Sequence, residues 1–263
     1  MRAVLLRNCN AREDAKFWLQ YMPMRNRAEV PRIMLEYSEV PYAFEVIGYR
    51  QWAPDAKAAT EFGKTPTLVD VEEGEGGLNI SHEMAITRYL ADKLGLSGKN
   101  SSQRARADEL YCQYWHTIRN NGLTHAGSLY NAKALIDDSA LGDIPKFKET
   151  HRVNDLSAGA RSIQALRVFE EILEQEAGSG NSFLVGNSMT YVDLALFDTL
   201  SDLAELDNVP DFGSKFDLPN CQSFLEKISS IPSVSKYLES PSRVPRYERP
   251  SYTYIPDMHS QAS

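Results

Sequence analysis

Apolar positions occur as short runs in the first third of the chain and as helical repeats after it. Residues 16–22 make a short apolar run that predicts a strand, and in 27–37 the positions Val30, Ile33, Met34 and Tyr37 share one face of a helix. Residues 42–47 read as a second strand. A polar stretch through Trp52 and Lys57 leads to Phe62-Gly63-Lys64-Thr65-Pro66, and 67–71 reads as a third strand. The charged, glycine-rich segment 72–77 predicts a hairpin turn into 78–80. Ser81 is then the expected N-cap of a helix carrying Ala85, Ile86, Tyr89 and Leu90 on one side.

The pattern changes after this helix. Residues 95–102 are rich in Gly, Ser and Asn and read as a linker, and from Gln103 onward no strand is predicted. One helix is expected over 103–121, and another ends at Ala177-Gly178 after Ile163, Leu166, Phe169 and Leu173 repeat at helical spacing. Thr190-Tyr191-Val192-Asp193 is a capping-box pattern: the threonine hydroxyl would accept from the third helical N–H while Asp193 reaches back, with Met189 and Leu194 as a hydrophobic staple. Residues 241–263 hold four prolines and little periodicity, and read as an extended tail. The expected organisation is an extension over 1–16, an α/β domain of thioredoxin-like order over 17–95, an all-α helical bundle over 103–240, and the tail.

Composition narrows the function. A chain of 263 residues buries enough surface for two modest domains, and 42% hydrophobic with 24% charged residues is ordinary globular usage. The apolar runs are too short to span a membrane. A formal net charge of -8 with no basic cluster repels phosphate backbones and anionic lipid, so neither nucleic acid nor a membrane is an expected partner. Cys9, Cys112 and Cys221 are far apart and lie in no CxxC or His pair, so no disulfide framework and no metal site is expected. The first sixteen residues lack the apolar stretch of a secretory signal, although their bias toward Arg, Asn and Asp leaves a transit-peptide reading open. A reducing compartment, the cytoplasm, is the expected location.

Three segments carry a family resemblance. Leu19-Gln20-Tyr21-Met22-Pro23-Met24-Arg25-Asn26-Arg27-Ala28-Glu29 resembles the first strand and turn of cytosolic glutathione transferases, closest to the sigma class. Phe62-Gly63-Lys64-Thr65-Pro66 resembles their proline loop. The stretch from Phe183-Leu184-Val185-Gly186 through Thr190-Tyr191-Val192-Asp193 resembles their capped C-terminal helix. The likeness spreads over 17–241, with its parts in order and register, and the mu, pi and alpha classes share much of it.

The resemblance implies a chemistry. Conjugation needs a glutathione thiolate, whereas a free thiol has a pKa of about 8.5. Tyr21 matches the family's sulfur-stabilising tyrosine, and Arg27 the arginine that supports it. Thr65-Pro66 matches the cis-proline turn whose Thr65 backbone binds the cysteinyl part of glutathione like an added strand. Trp52, Lys57 and Lys64 match positions that grip the glycine end. At Ser81-His82-Glu83-Met84 a helix N-terminus meets the γ-glutamyl carboxylate, and Glu83 would accept from its ammonium. Two departures stand out: Met84 replaces the usual serine, and Asn26 the usual glycine. Asp108 falls where the family reaches across a dimer interface to the neighbour's glutathione. Tyr111 and Trp115 share its helix face, lining an electrophile pocket or packing as core. Phe62 matches an aromatic key inserted into a partner subunit, so a homodimer is expected.

The resemblance thus implies a glutathione transferase with glutathione as co-substrate, no further cofactor, and a hydrophobic electrophile as second substrate. A glutathione-dependent isomerase of prostaglandin type and a non-catalytic binding or structural protein on the same fold are the alternatives.

Overall fold

Five strands form one mixed sheet in the computed structural model, which describes residues 3–47, 56–119, 159–205 and 210–244. They are β1 (Ala3–Arg7), β2 (Phe17–Tyr21), β3 (Tyr42–Val46), β4 (Thr67–Asp70) and β5 (Leu78–Ser81), in the spatial order β1-β3-β2-β4-β5. β2 and β3 run parallel and are joined through helix α1 (Asn26–Tyr37); every other pairing is antiparallel. Burial alternates along β2, with Phe17, Leu19 and Tyr21 inside and Trp18 and Gln20 half-buried, as alternate residues of a strand point to opposite faces. Tyr21 therefore follows from the same alternation that makes Leu19 core.

Helix α2 (Glu83–Lys93) packs against α1. Its N-cap is His82 and not Ser81, because β5 continues through Ser81 in register with Thr67. The chain turns one residue later, where His82 takes a φ of 73° and its N–H donates to the Pro66 carbonyl at 3.2 Å. The stretch expected as an N-terminal extension contains β1, which adds to the sheet edge with Ala3 opposite Val46 and Arg7 opposite Tyr42.

The chain divides into two compact units, Met1–Leu94 with Ser230–Ser263, and Gly95–Ser229. The second unit is helical among its described residues, as α3 (Ser101–Tyr114), α4 (Gly159–Gly178), α5 (Tyr191–Glu205), α6 (Phe212–Phe216) and α7 (Pro219–Ser229). The Asn100 side chain caps α3 by accepting from the Gln103 N–H at 2.9 Å. The helix expected over 103–121 changes at Trp115–Arg119 into a π-helical turn, and residues 120 and 121 lie outside the described residues. α5 is buried on all sides from Tyr191 to Leu203, which makes it the centre of this unit.

The cap of α5 differs in detail from the expectation. Asp193 does reach back, accepting from the Thr190 N–H at 2.7 Å. The Thr190 hydroxyl, however, donates to the same carboxylate at 2.6 Å, and the other oxygen accepts from the Leu184 N–H at 2.9 Å. A buried carboxylate offers more acceptor capacity than one N–H can use, so the hydroxyl becomes a donor. Burial pushes Asp193 up to about 6 against the pull of those donors. After α7 the chain returns to the first unit, where α8 (Pro232–Leu238) packs against α1. Residues 241–244, expected in an extended tail, are also seated in that unit.

Candidate functional site

Three chain segments meet where β2, β4 and β5 end. Tyr21 closes β2 and is 5% exposed, and its carbonyl accepts from the Ile47 N–H at 2.8 Å. The β2–β4 pairing ends with Gln20 opposite Thr67, one residue before Tyr21 and one after Pro66. The Thr65–Pro66 peptide is cis, as the resemblance implied, and Pro66 is buried with Thr65 half-buried beside it. Through the His82 bond the same proline is stitched to the start of α2.

Between Tyr21 and α1 the chain makes a tight turn over 22–25, with the Met24 N–H donating to the Met22 carbonyl at 2.7 Å. Asn26 opens α1 with a φ of 33°, a region asparagine tolerates better than most side chains. On the first turn of α1, Arg27 Nη1 lies 4.0 Å from Glu83 Oε2, the first residue of α2. Glu83 is buried to 1% exposure, so a buried carboxylate at one helix start faces a partly exposed cation at the other. Met84 is half-buried next to it.

Lys57 and Lys64 are exposed on the loop before β4. Gly63, at a φ of 59°, leaves room for the Lys57 stem: a Cβ there would stand 3.3 Å from its Cε. Trp52 lies outside the described residues. Among the described residues no group of three or more His, Cys, Asp or Glu is arranged to hold a metal ion, and no helix is long and apolar enough to cross a membrane.

Comparison with known proteins gives this arrangement a family. Residues 145–241 match the family model described as the glutathione S-transferase C-terminal domain. The chain is 31% identical over 227 residues to the probable glutathione S-transferase 9 of Caenorhabditis elegans, covering 84% of this chain and 94% of that protein. This chain belongs to the glutathione transferase family. The probable glutathione S-transferase 6 of the same nematode is 28% identical over 90% of this chain and 98% of its own. The glutathione S-transferase of Ascaris lumbricoides superposes with a TM-score of 0.64 over 85% of this chain and 96% of that one, at 24% identity, a likeness in fold.

In the transferase's helical unit, Asp108 is half-buried on α3 and accepts from the Tyr191 hydroxyl at 2.9 Å. Tyr111 is fully buried: it stacks on Tyr114 at 6.0 Å and meets the edges of Trp115 at 6.5 Å and Tyr191 at 5.0 Å. Trp115 is 6% exposed at the start of the π-helical turn. Of the two readings of this pair, the packing matches an aromatic core cluster for Tyr111.

The group that holds the turn after Tyr21 did not stand out in the sequence. Arg32 Nη2 donates to the carbonyls of Met24 and Arg25, each at 3.1 Å, and its guanidinium pairs with Glu29 at 2.6 Å. Both side chains are buried. The signal was present as an oppositely charged pair three residues apart, on a helix whose neighbouring positions Val30, Ile33 and Met34 are apolar.

Proposed function

We propose that this transferase conjugates reduced glutathione to hydrophobic electrophiles, with the Tyr21 hydroxyl stabilising the glutathione thiolate. The observation that carries the reading is the convergence at the strand ends: Tyr21, the cis Thr65–Pro66 bond and the start of α2 stand side by side. Lowering a thiol pKa by about two units asks for roughly 2.7 kcal/mol, within reach of a charge-assisted hydrogen bond in a water-poor site. In conjugation to an aryl halide, the thiol proton passes to solvent, the thiolate sulfur forms the bond to the ring carbon, and halide leaves. The protein supplies proximity and charge stabilisation.

Glutathione fits these strand ends as an extended strand. Its cysteinyl backbone would pair with Thr65, its γ-glutamyl carboxylate would face the first turn of α2 at Glu83 and Met84, and its ammonium the Glu83 carboxylate. Arg27, 4.0 Å from Glu83, balances that carboxylate. Lys57 and Lys64 supply cations for the glycine carboxylate. In a homodimer, Asp108 of one subunit would reach the ammonium of the glutathione held by the other, with its Tyr191 bond orienting it. The acidic balance and cysteine usage favour the cytoplasm.

Retention on immobilised glutathione together with turnover of a chromogenic aryl halide tests the reading. Tyr21→Phe is expected to keep glutathione binding and to slow conjugation by roughly one to three orders of magnitude, since only the sulfur-facing hydroxyl is lost. Unchanged turnover would remove Tyr21 as the activating group. Retention without turnover by the parent chain would favour the non-catalytic reading.

A further inference from the structure

Residues 240–244 follow α8, yet their polar contacts converge on the turn that follows Tyr21. Arg243 is buried to 4% exposure, and its Nε donates to Glu29 Oε1 at 3.2 Å. The Tyr237 hydroxyl, one face of α8 away, donates to Glu29 Oε2 at 3.1 Å. The Glu29 carboxylate thus joins Arg243 and Tyr237 to Arg32, whose guanidinium also grips the carbonyls of Met24 and Arg25. A second link is direct: Arg25 Nε donates to the Val244 carbonyl at 3.0 Å. Val244 is itself buried. Farther back, Arg7 Nη1 donates to the hydroxyls of Ser240 and Ser242 at 2.7 and 2.6 Å, so the segment is fixed at both ends.

Burial would push the Glu29 carboxyl up, but Arg32, Arg243 and Arg25 together outweigh it and hold it below its usual range. It is an anion at neutral pH with its positive partners on two sides. One side belongs to the turn and the other to the C-terminal segment.

We propose that residues 240–244 act as a strap that sets the geometry of the turn over 22–25, and that Arg243 is a positioning residue for thiolate formation at Tyr21. The inference rests on the reading of Tyr21 as the group that faces the sulfur. Tyr21 is the residue immediately before the turn, so a shift in the carbonyls of Met24 and Arg25 is transmitted to the strand end. A hydrogen bond to sulfur is sensitive to small errors in position, whereas glutathione binding is spread over Thr65, the start of α2 and the loop lysines. Loss of the strap should therefore act on the thiol more than on affinity.

The test measures the thiol pKa of bound glutathione from thiolate absorbance against pH, beside the Kd of S-methylglutathione. Arg243→Ala is expected to raise the bound thiol pKa by about one unit and to lower turnover near neutral pH by about tenfold, with Kd within about threefold of the parent. Arg243→Lys, which keeps a cation on Glu29, should recover part of the shift. Arg25→Met removes the bond to the Val244 carbonyl and carries the test alone if Arg243→Ala does not fold; it should shift the pKa in the same direction. A folded variant with the parent's thiol pKa overturns the strap. Tyr21→Phe run alongside separates the two readings. If it raises the thiol pKa while the arginine variants do not, only the strap is wrong; if it leaves the pKa unchanged, both fall.

Discussion

Met84 lies on the first turn of α2, half-buried beside the buried Glu83. A thioether there neither donates nor strongly accepts, so any anion at this helix start relies on backbone donors. Met84→Ser adds a hydroxyl to a site that already suits a carboxylate. Glutathione binding is expected to tighten by up to about tenfold, since a hydrogen bond to a charged group contributes roughly 1 to 1.5 kcal/mol. Calorimetric titration reads the sign directly, and weaker binding by the serine variant would mean that the methionine itself contacts the ligand. At this scale the legible residues were those whose placement follows from local pattern: Tyr21 at a strand end, Glu83 at a helix start, Asn26 where the backbone turns. Glu29 was passed over because its partner Arg243 lies 214 residues away. Asp108 was assigned to a helix face, but its bond partner Tyr191 is 83 residues further on.

Arg7 shows what an element can add once it is paired. It ends β1, and its Nε donates to Glu36 Oε1 at 2.6 Å, with the Tyr42 hydroxyl donating to the same oxygen at 2.9 Å. Glu36 is buried to 4% exposure, so Arg7→Ala would leave an under-compensated charge on α1 and release Ser240 and Ser242. A loss of about 3 kcal/mol is expected, read as a lower urea midpoint at unchanged slope. A shift below about 0.5 kcal/mol would show that water replaces the guanidinium. β1 was not legible in the sequence, because Ala3-Val4-Leu5-Leu6 is an unbroken apolar run, which periodicity alone does not assign to a strand. Helices α1, α2 and α5 were legible, since each repeats an apolar face over several turns or starts at a cap. Where a cap was misplaced, as at Ser81, strand pairing with Thr67 had claimed the residue first.

For the molecule as a whole, Phe62 is 57% exposed and leans on His82 with ring centroids 5.7 Å apart. A large aromatic left in water at a loop tip suits insertion into a second copy of the chain. If the proposed homodimer forms through Phe62, Phe62→Asp is expected to raise its dissociation constant in sedimentation by at least tenfold, because a carboxylate in an apolar socket costs more than about 1.4 kcal/mol. An unaltered dimer would place the contact elsewhere. The amino-acid sequence by itself determined the order of the strands from β2 to β5, the helices α1, α2 and α5, and the cis-proline turn through its family pattern. These depend on periodicity and on neighbours a few positions apart, which any stretch of chain carries within itself. Tertiary structure alone decided that Ala3–Arg7 completes the sheet, that Tyr111 stacks in an aromatic cluster, and that Arg243 reaches Glu29. Those outcomes are pairings between distant segments: a buried charge or an open strand edge demands a partner, but its own sequence does not say which of many candidates the folded chain will bring within 3 Å or so.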